Sequence, residues 1–336
     1  MGSLLSWPSQ VDVLIAGAGP AGLSAALHLN TSRASVLMVD ARRVIGTPLR
    51  CGELTRVKFW ADLGLEPREG WIRWVLKDQG GAPVLNRPAM ERDLARLAAD
   101  RGAIVREATC VTAVGPFDGD GRRVTLWHEG NSIEVKARCV IAADGVASRV
   151  ARACGINTDL RLDQLGSCLA YRFAQSWLKT PDFPLVQYLP HRYPYYFWII
   201  PSGPGQASVG MVFPADAGSR LRHLLRMTIE RTPQLKGGRV VETVVGAYPI
   251  MPPLDQPYAD GLLVVGTAAR LIYRCTGEGI WPAVLSGRMA AETIAAAASM
   301  KAEDLAPYRS GLQPLYDEIE LTWNKRRNLA EQHERQ

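Results

Sequence analysis

The hydrophobic pattern changes period several times along the chain, and each change marks an element. Val11-Asp12-Val13-Leu14-Ile15-Ala16 is short and almost continuously apolar, as in a strand buried within a parallel sheet. The turn Gly17-Ala18-Gly19-Pro20-Ala21-Gly22 leads into an alanine-rich helix over 23–29, and residues 35–40 form a second apolar strand ending on Asp40. This order predicts a βαβ opening. Residues 41–90 show no clear period and are rich in Gly, Pro and Trp. Helical spacing returns over 92–98 and stops at Gly102, and a strand is predicted over 104–114. The alternation at 124–127 and 133–135 predicts a hairpin turning on Gly130-Asn131, and residues 139–143 a further apolar strand running into Asp144-Gly145.

From about 163 to 247 the texture becomes aromatic and alternating, with strands predicted over 168–173, 185–189, 195–200, 207–213 and 240–245 and one helix over 219–231. That is the pattern of an antiparallel sheet inserted in an α/β framework. The framework resumes with an apolar strand at 262–265, a glycine-rich turn, a long helix over 282–298 and a polar, helix-rich tail.

Composition narrows the class without naming a function. The 336 residues are 47% hydrophobic and 21% charged, ordinary for a soluble globular chain with a normal core. The net charge of +6 comes from scattered arginines, such as Arg42-Arg43 and Arg326-Arg327, and no run of five cations argues for a nucleic-acid tail. Such a basic surface suits solvent, anionic lipid or an acidic electron-donor protein. None of the six cysteines forms a C-x-x-C pair, so no zinc or redox motif is expected and no metal site is assigned. The first residues carry no signal-peptide pattern, and no stretch approaches the roughly 18 apolar residues of a membrane span. The expected location is cytoplasmic, with reduced thiols.

Gly17-x-Gly19-x-x-Gly22 lies between a strand and a helix, as a dinucleotide site requires. The first glycine permits the tight turn, the second lets the backbone approach a diphosphate and the third lets helix and strand pack closely. The diphosphate would rest on free N–H groups at the helix start, beside Pro20 and Ala21. Asp40 is placed for the adenosine ribose, and Ala41 and Val111 are assigned to the same site. An acid at position 40 suits NAD or FAD and disfavours only a 2′-phosphate. The second half of the chain favours FAD. Asp144-Gly145-x-x-Ser148-Arg149 resembles the D-G-x-x-S segment of FAD-dependent hydroxylase-like folds. Gly266-Thr267-Ala268-Ala269 resembles their G-D-A-A fingerprint, with Thr267 in place of the aspartate and Arg270 in place of the following glycine.

Three further segments resemble the geranylgeranyl reductase family. Arg50-Cys51-Gly52-Glu53 is similar to its R-C-G-E segment, which the resemblance places near the isoalloxazine. Tyr196-Phe197-Trp198-Ile199-Ile200-Pro201 is similar to Y-x-W-x-F-P, which the resemblance places on the lipid side of the site. Strand alternation puts Tyr196, Trp198 and Ile200 on one face. Thr276-Gly277-Glu278-Gly279-Ile280, followed by Ser286-Gly287-Arg288, is similar to T-G-E-G-I…S-G-R, with backbone N–H groups at a helix start facing the flavin edge. The resemblance spans about residues 11–295, although Met90-Glu91 stands where the family has F-D and the tail after the last flavin helix is short.

The resemblance implies an α/β fold: a Rossmann-type FAD-binding domain (1–162 and 249–300) carrying an inserted antiparallel β-sheet substrate domain (163–248), then a helical tail (301–336). It implies an FAD-dependent oxidoreductase that saturates double bonds of an isoprenoid, or a related apolar substrate. Cys51, Glu53, Tyr196 and Trp198 are then the catalytic candidates. With no second Rossmann motif, NAD(P)H visits transiently or a ferredoxin-like protein donates the electrons, and a peripheral membrane contact fits a prenyl substrate. Two rivals share the fold: an FAD-dependent monooxygenase or halogenase-like enzyme acting on an aromatic or other small substrate, and a redox-inert homologue weakened at Thr267 and Arg270.

Overall fold

The strand Gln10–Ala16 lies at the centre of the larger sheet because both its faces are apolar, with Val13, Leu14 and Ile15 fully buried. It pairs in parallel with Val36–Val39 on one side and with Asn131–Ala142 on the other. Ile104–Arg106 extends the sheet beyond Val36–Val39, and Leu262–Val264 extends it beyond Asn131–Ala142. The chain thus runs outward in one direction from Gln10–Ala16 and later resumes on its other side. Such a switch point opens a crevice at the carboxyl ends of the strands, where open α/β sheets bind ligands. The βαβ opening and the α/β class are as the sequence predicts. This structure is a computed structural model that describes residues 6–29, 33–174, 185–188, 194–217 and 220–334.

Some boundaries differ from the pattern. The predicted strand 104–114 is two strands, Ile104–Arg106 and Thr109–Phe117, broken at Ala108, which has φ of 49°. The residues expected as two strands at 133–135 and 139–143 form one, Asn131–Ala142. Its first half pairs with Arg122–His128 at the sheet's rim and alternates in burial, whereas its last four residues enter the parallel core and are all buried. The hairpin turns on Glu129 and Gly130, both at positive φ, so that His128 faces Asn131. The unreadable stretch 41–90 contains the hairpin Ile72–Leu76 and Ala82–Leu85 and the helix Arg87–Asp100.

The second sheet is antiparallel, in the order Leu185–Tyr188, Tyr196–Gly203, Gln206–Pro214, Leu165–Ala174, Arg239–Pro249. Both faces of Tyr196–Gly203 are buried. Phe197 and Ile199 pack toward Leu221 and Leu225 of the helix Arg220–Arg231, while Tyr196, Trp198 and Ile200 join a separate apolar cluster with Leu49, Tyr248 and Ile272. Leu189 and Ser219, at the ends of two predicted elements, lie outside the described residues, as do 1–5.

The helix Ile280–Ala296 packs on Pro20–Leu29 so closely that a Cβ at Gly287 would stand 2.1 Å from the Ala21 carbonyl oxygen. The final helix, Gln313–Glu334, is fastened to the framework where the Tyr316 hydroxyl donates to the Leu254 carbonyl at 2.7 Å. Among the described residues no helix is long and apolar enough to cross a membrane.

Candidate active site

The three glycines of the first turn do different work. A Cβ on Gly17, whose φ is 113°, would lie 2.3 Å from the Ala143 carbonyl oxygen, so this glycine brings the turn against the neighbouring strand end. A Cβ on Gly22 would lie 1.9 Å from the Gly17 carbonyl oxygen, which fixes the helix start on the turn. Gly19 is different: a Cβ there meets nothing within 4 Å. Its missing side chain leaves open space at the start of Pro20–Leu29, the place a diphosphate takes on a helix N-terminus. Pro20 opens the helix without losing a needed donor. Ala21 packs beneath Gly266, whose Cβ would stand 3.0 Å from the Ala21 methyl. The residues present therefore fit a dinucleotide with its diphosphate at Gly19.

Asp40 directly follows the second strand, Val36–Val39, one residue beyond its expected end, and its oxygens are already engaged. Oδ2 accepts from Ala18 N at 2.7 Å and from Arg42 Nη2 at 2.8 Å, and Oδ1 accepts from Arg42 N and Nε, each at 2.8 Å. Burial works to raise this carboxyl, yet the Arg42 and Ala18 bonds prevail and hold it below the usual carboxylate range. Arg42 also reaches the buried Glu91, which in turn pairs with Arg87 one helical turn back. The Arg87–Glu91 spacing of four residues was the available signal for this pair. Arg42 carried none, because its fork on the nearby Asp40 depends on how the chain turns after the strand and its other partners, Ala18 and Glu91, are distant in sequence. Ala41 is exposed next to Asp40, and Val111 lies half-buried on Thr109–Phe117, paired with Leu126. Asp144 accepts from Ser148 Oγ and from the amides of Arg149 and Val150, so its carboxylate caps the short helix Arg149–Ala153, with Gly145 in the turn at φ of 80°.

From Pro20 a cavity of about 820 Å³ runs between the two sheets, and it gathers the segments that the family resemblance singled out. Arg50, Cys51, Gly52 and Glu53 form one part of its wall, Thr267 and the Gly277–Glu278–Gly279–Ile280 segment another, and Tyr196, Trp198 and Ile200 a third. Asp40, Val111 and Asp144 lie outside it. The polar ends of the aromatic wall are tied away from the space. The Tyr196 hydroxyl donates to the Thr276 carbonyl at 2.5 Å, and Trp198 Nε1 donates to Ser208 Oγ at 3.2 Å. These two residues therefore offer ring surface to the cavity, and the geometry gives neither a free proton. Gly52 lets the R-C-G-E loop lie on that wall, since a Cβ there would already be 3.3 Å from Ile200.

Glu53 is 4% exposed and sits at φ of 67°. Its Oε1 accepts from Arg87 N at 3.0 Å, and its Oε2 accepts from Arg73 at 3.1 Å and Arg172 at 3.3 Å. Burial raises its carboxyl above the usual range against the pull of these arginines. Cys51 Sγ accepts from Glu53 N at 3.2 Å, with the Arg87 guanidinium beside it. Arg73 and Arg172 gave no sequence signal, because a strand pairing and a hairpin bring them to Glu53 from far along the chain.

Three residues beyond Glu53, Arg56 links two elements. Its Nε donates to Glu278 at 2.8 Å, its Nη1 donates to Glu318 of the final helix at 2.5 Å, and its guanidinium lies 4.2 Å above the Tyr273 ring. Thr322 and Arg326 of the same helix line the cavity, so the polar tail closes one side of it. Arg270 takes the left-handed conformation that the fingerprint's glycine would take, φ 60°, and points toward the carbonyls of Asn157 and Asp159 rather than into the cavity. Thr267 remains on the cavity wall, in the turn Gly266–Ala269.

Comparison with known proteins agrees with this geometry. The family described as FAD dependent oxidoreductase matches residues 53–295. The digeranylgeranylglycerophospholipid reductase 1 of Methanopyrus kandleri is 32% identical over 84% of this chain and 80% of its own length. A geranylgeranyl bacteriochlorophyll reductase-like protein from Thermoplasma acidophilum superposes with a TM-score of 0.89 at 28% identity, over 96% of this chain and 88% of that one. A myxobacterial chondrochloren halogenase shares the fold alone, with a TM-score of 0.69 at 23% identity over 86% of this chain and 75% of that one. This chain is thus an FAD-dependent oxidoreductase and belongs to the digeranylgeranylglycerophospholipid reductase family.

Proposed function

We propose that this enzyme saturates carbon–carbon double bonds of an isoprenoid chain, and that the substrate enters the cavity between the two sheets. The observation that carries the reading is the shared apolar face of Tyr196, Trp198 and Ile200, which walls the same cavity as Cys51 and Gly277. The names of the relatives, reductases of a geranylgeranyl lipid, support the same substrate class.

Reduced FAD, when bound, supplies hydride chemistry. Gly19 and the start of Pro20–Leu29 would hold its diphosphate, Asp40 and Arg42 its adenosine end, Thr267 a hydroxyl of its linking chain, and the backbone around Gly277 and Gly279 its reacting ring. Thr267 brings a neutral hydroxyl where the fingerprint has a charged oxygen, so it holds less firmly but still provides a donor and acceptor. The aromatic wall excludes water and lays an extended hydrocarbon along one side of the space. Electrons come from NAD(P)H visiting transiently or from a ferredoxin-like protein, and the enzyme works in the cytoplasm at the surface of a lipid membrane. The test is anaerobic. Protein carrying FAD is reduced with dithionite and mixed in turn with a geranylgeranyl lipid, a quinone and an aromatic acid. Reoxidation by the prenyl lipid, with a pair of hydrogens added per double bond, is the expected result. Flavin that stays reduced with the prenyl lipid and is reoxidised only once air is admitted, with a hydroxylated or halogenated aromatic product, would overturn the proposal in favour of the halogenase-like reading.

A further inference from the structure

We propose that Glu278, held by Arg56, is the group that delivers the proton to the alkene, an assignment that rests on the double-bond reduction proposed above. Among the described residues two carboxylates line the cavity, Glu53 buried and Glu278 half-buried with one oxygen shut off from solvent, and their surroundings differ. Both oxygens of Glu53 already accept bonds from Arg87, Arg73 and Arg172. A proton turned from Glu53 toward a substrate would displace one of these donors. Glu278 is paired on one side only: Oε2 accepts from Arg56 Nε at 2.8 Å, while Oε1 is buried with no hydrogen-bond partner among the described residues. An ionised oxygen left so is costly, and a proton on Oε1 removes the cost.

The fold carries this carboxyl to the reacting region. Tyr273 N donates to the Glu278 carbonyl at 2.9 Å, and Gly277, at φ of 67°, closes the turn between them. Glu278 then leads directly into the helix Ile280–Ala296. A second buried polar atom on the cavity wall also lacks a partner, the hydroxyl oxygen of Thr55, which is 3% exposed. The cavity that the aromatic face lines thus also carries incompletely paired polar atoms at Thr55 and Glu278, and a proton donor to an apolar substrate needs such a site. The charged and titratable groups facing Glu278 are Arg56 and Lys58 from the segment before Phe59–Leu63, Glu318 from the final helix, and Tyr273 from its own loop. Burial raises the Glu278 carboxyl above its usual range, Arg56 and Lys58 pull it down, and Glu318 raises it further.

The balance of the step is simple. The hydride supplied by reduced FAD forms a C–H bond at one alkene carbon as the π bond breaks. The proton from Glu278 forms the C–H bond at the other carbon. The carboxylate left behind stays paired with Arg56 and is reprotonated from solvent at the cavity mouth.

Glu278→Gln tests the assignment in the FAD-loaded protein. The dithionite-reduced variant should be reoxidised by the prenyl lipid about 10²–10⁴-fold more slowly than wild type. Its bound-flavin absorbance and its reduction by dithionite should not change. A general acid works only while protonated, so the wild-type rate should fall as pH rises through the carboxyl's pKa, and the variant should lack that fall. Arg56→Gln removes a neighbouring positive charge and should move the fall to higher pH, which provides a second measurement should Glu278→Gln lose its flavin. A Glu278→Gln variant with wild-type rate and pH profile, or an unmoved profile in Arg56→Gln, overturns the assignment. Wild-type protein that no prenyl lipid reoxidises at any pH overturns the proposed reduction itself, which is a distinguishable failure.

Discussion

Asp40 and Arg42 meet side-on, with Arg42 Nε on Oδ1 and Nη2 on Oδ2, both at 2.8 Å. A fork of this kind is among the stronger hydrogen-bonded pairs a protein makes. It means that the acid at the end of the second strand is organised by the protein before any ribose reaches it. A ribose hydroxyl must share an oxygen with Arg42 or displace it.

The pair should make the nucleotide domain sensitive to acid. The Asp40 carboxyl is held below its usual range, so its contribution to stability is present above the unfolded-state value of about 3.9 and is lost as pH falls through the lower folded-state value. Asp40→Asn removes that dependence and leaves Arg42 with Glu91 and the Ala18 carbonyl, at a cost of about 1–3 kcal/mol at neutral pH. Urea unfolding of both proteins between neutral pH and pH about 3 measures this. Parallel curves, separated by the same free energy at every pH, would show that the pair contributes nothing to the acid response.

Gly17 and Gly19 should separate folding from binding. Gly19→Val places a side chain in open space, so the protein should fold with nearly unchanged melting temperature and emerge without flavin. Gly17→Ala drives a methyl toward the Ala143 carbonyl at a positive φ and should lower the melting temperature whether or not FAD is present. A yellow, fully loaded Gly19→Val would refute the diphosphate assignment.

The contrast between these glycines also shows where sequence reading succeeds. Gly17, Gly19 and Gly22 stand in register with a strand and a helix, and continuous burial of Val13 to Ile15 gives that strand an unbroken apolar run. Local pattern suffices there. It misleads at Asn131–Ala142, because one strand passes from a half-exposed rim to a fully buried core and its period changes midway. It is silent about Arg73 and Arg172, whose roles arise from a tertiary neighbour at Glu53, and about Arg42, whose fork on Asp40 is set by the turn after the second strand. The aromatic face of Tyr196 and Trp198 follows from alternation, but the binding of their polar ends to Thr276 and Ser208 does not.

Thr267 provides a gain-of-function test. It stands on the cavity wall at the fingerprint position that normally carries an aspartate. Thr267→Asp should strengthen FAD retention, since a charge-assisted hydrogen bond is typically worth about 1.5–3 kcal/mol where well placed. Flavin release measured by filtration after dilution gives the difference directly. Unchanged or faster release would mean that this turn does not meet the cofactor's linking chain.

Cys51 and Glu53 distinguish a structural loop from a chemical one. Cys51→Ser keeps an acceptor for Glu53 N, which stands 3.2 Å from Sγ, so the half-buried hydroxyl would not be left without a partner. Its stability should therefore stay close to wild type, within about 1 kcal/mol rather than the 1–3 kcal/mol of an orphaned hydroxyl. Glu53→Gln is the harsher change. It removes the negative charge that faces Arg73 and Arg172 and presents an amide N–H₂ group to donors. A loss of about 1–3 kcal/mol is expected, together with weaker flavin retention, because the same loop walls the cavity. The decisive reading is the rate per flavin-loaded molecule. With proton delivery assigned to Glu278, that rate and its pH profile should survive Glu53→Gln. A drop of about 10²–10⁴-fold with melting temperature and flavin content intact would instead assign the acid to Glu53 and require one of its three arginine-donated bonds to break during turnover.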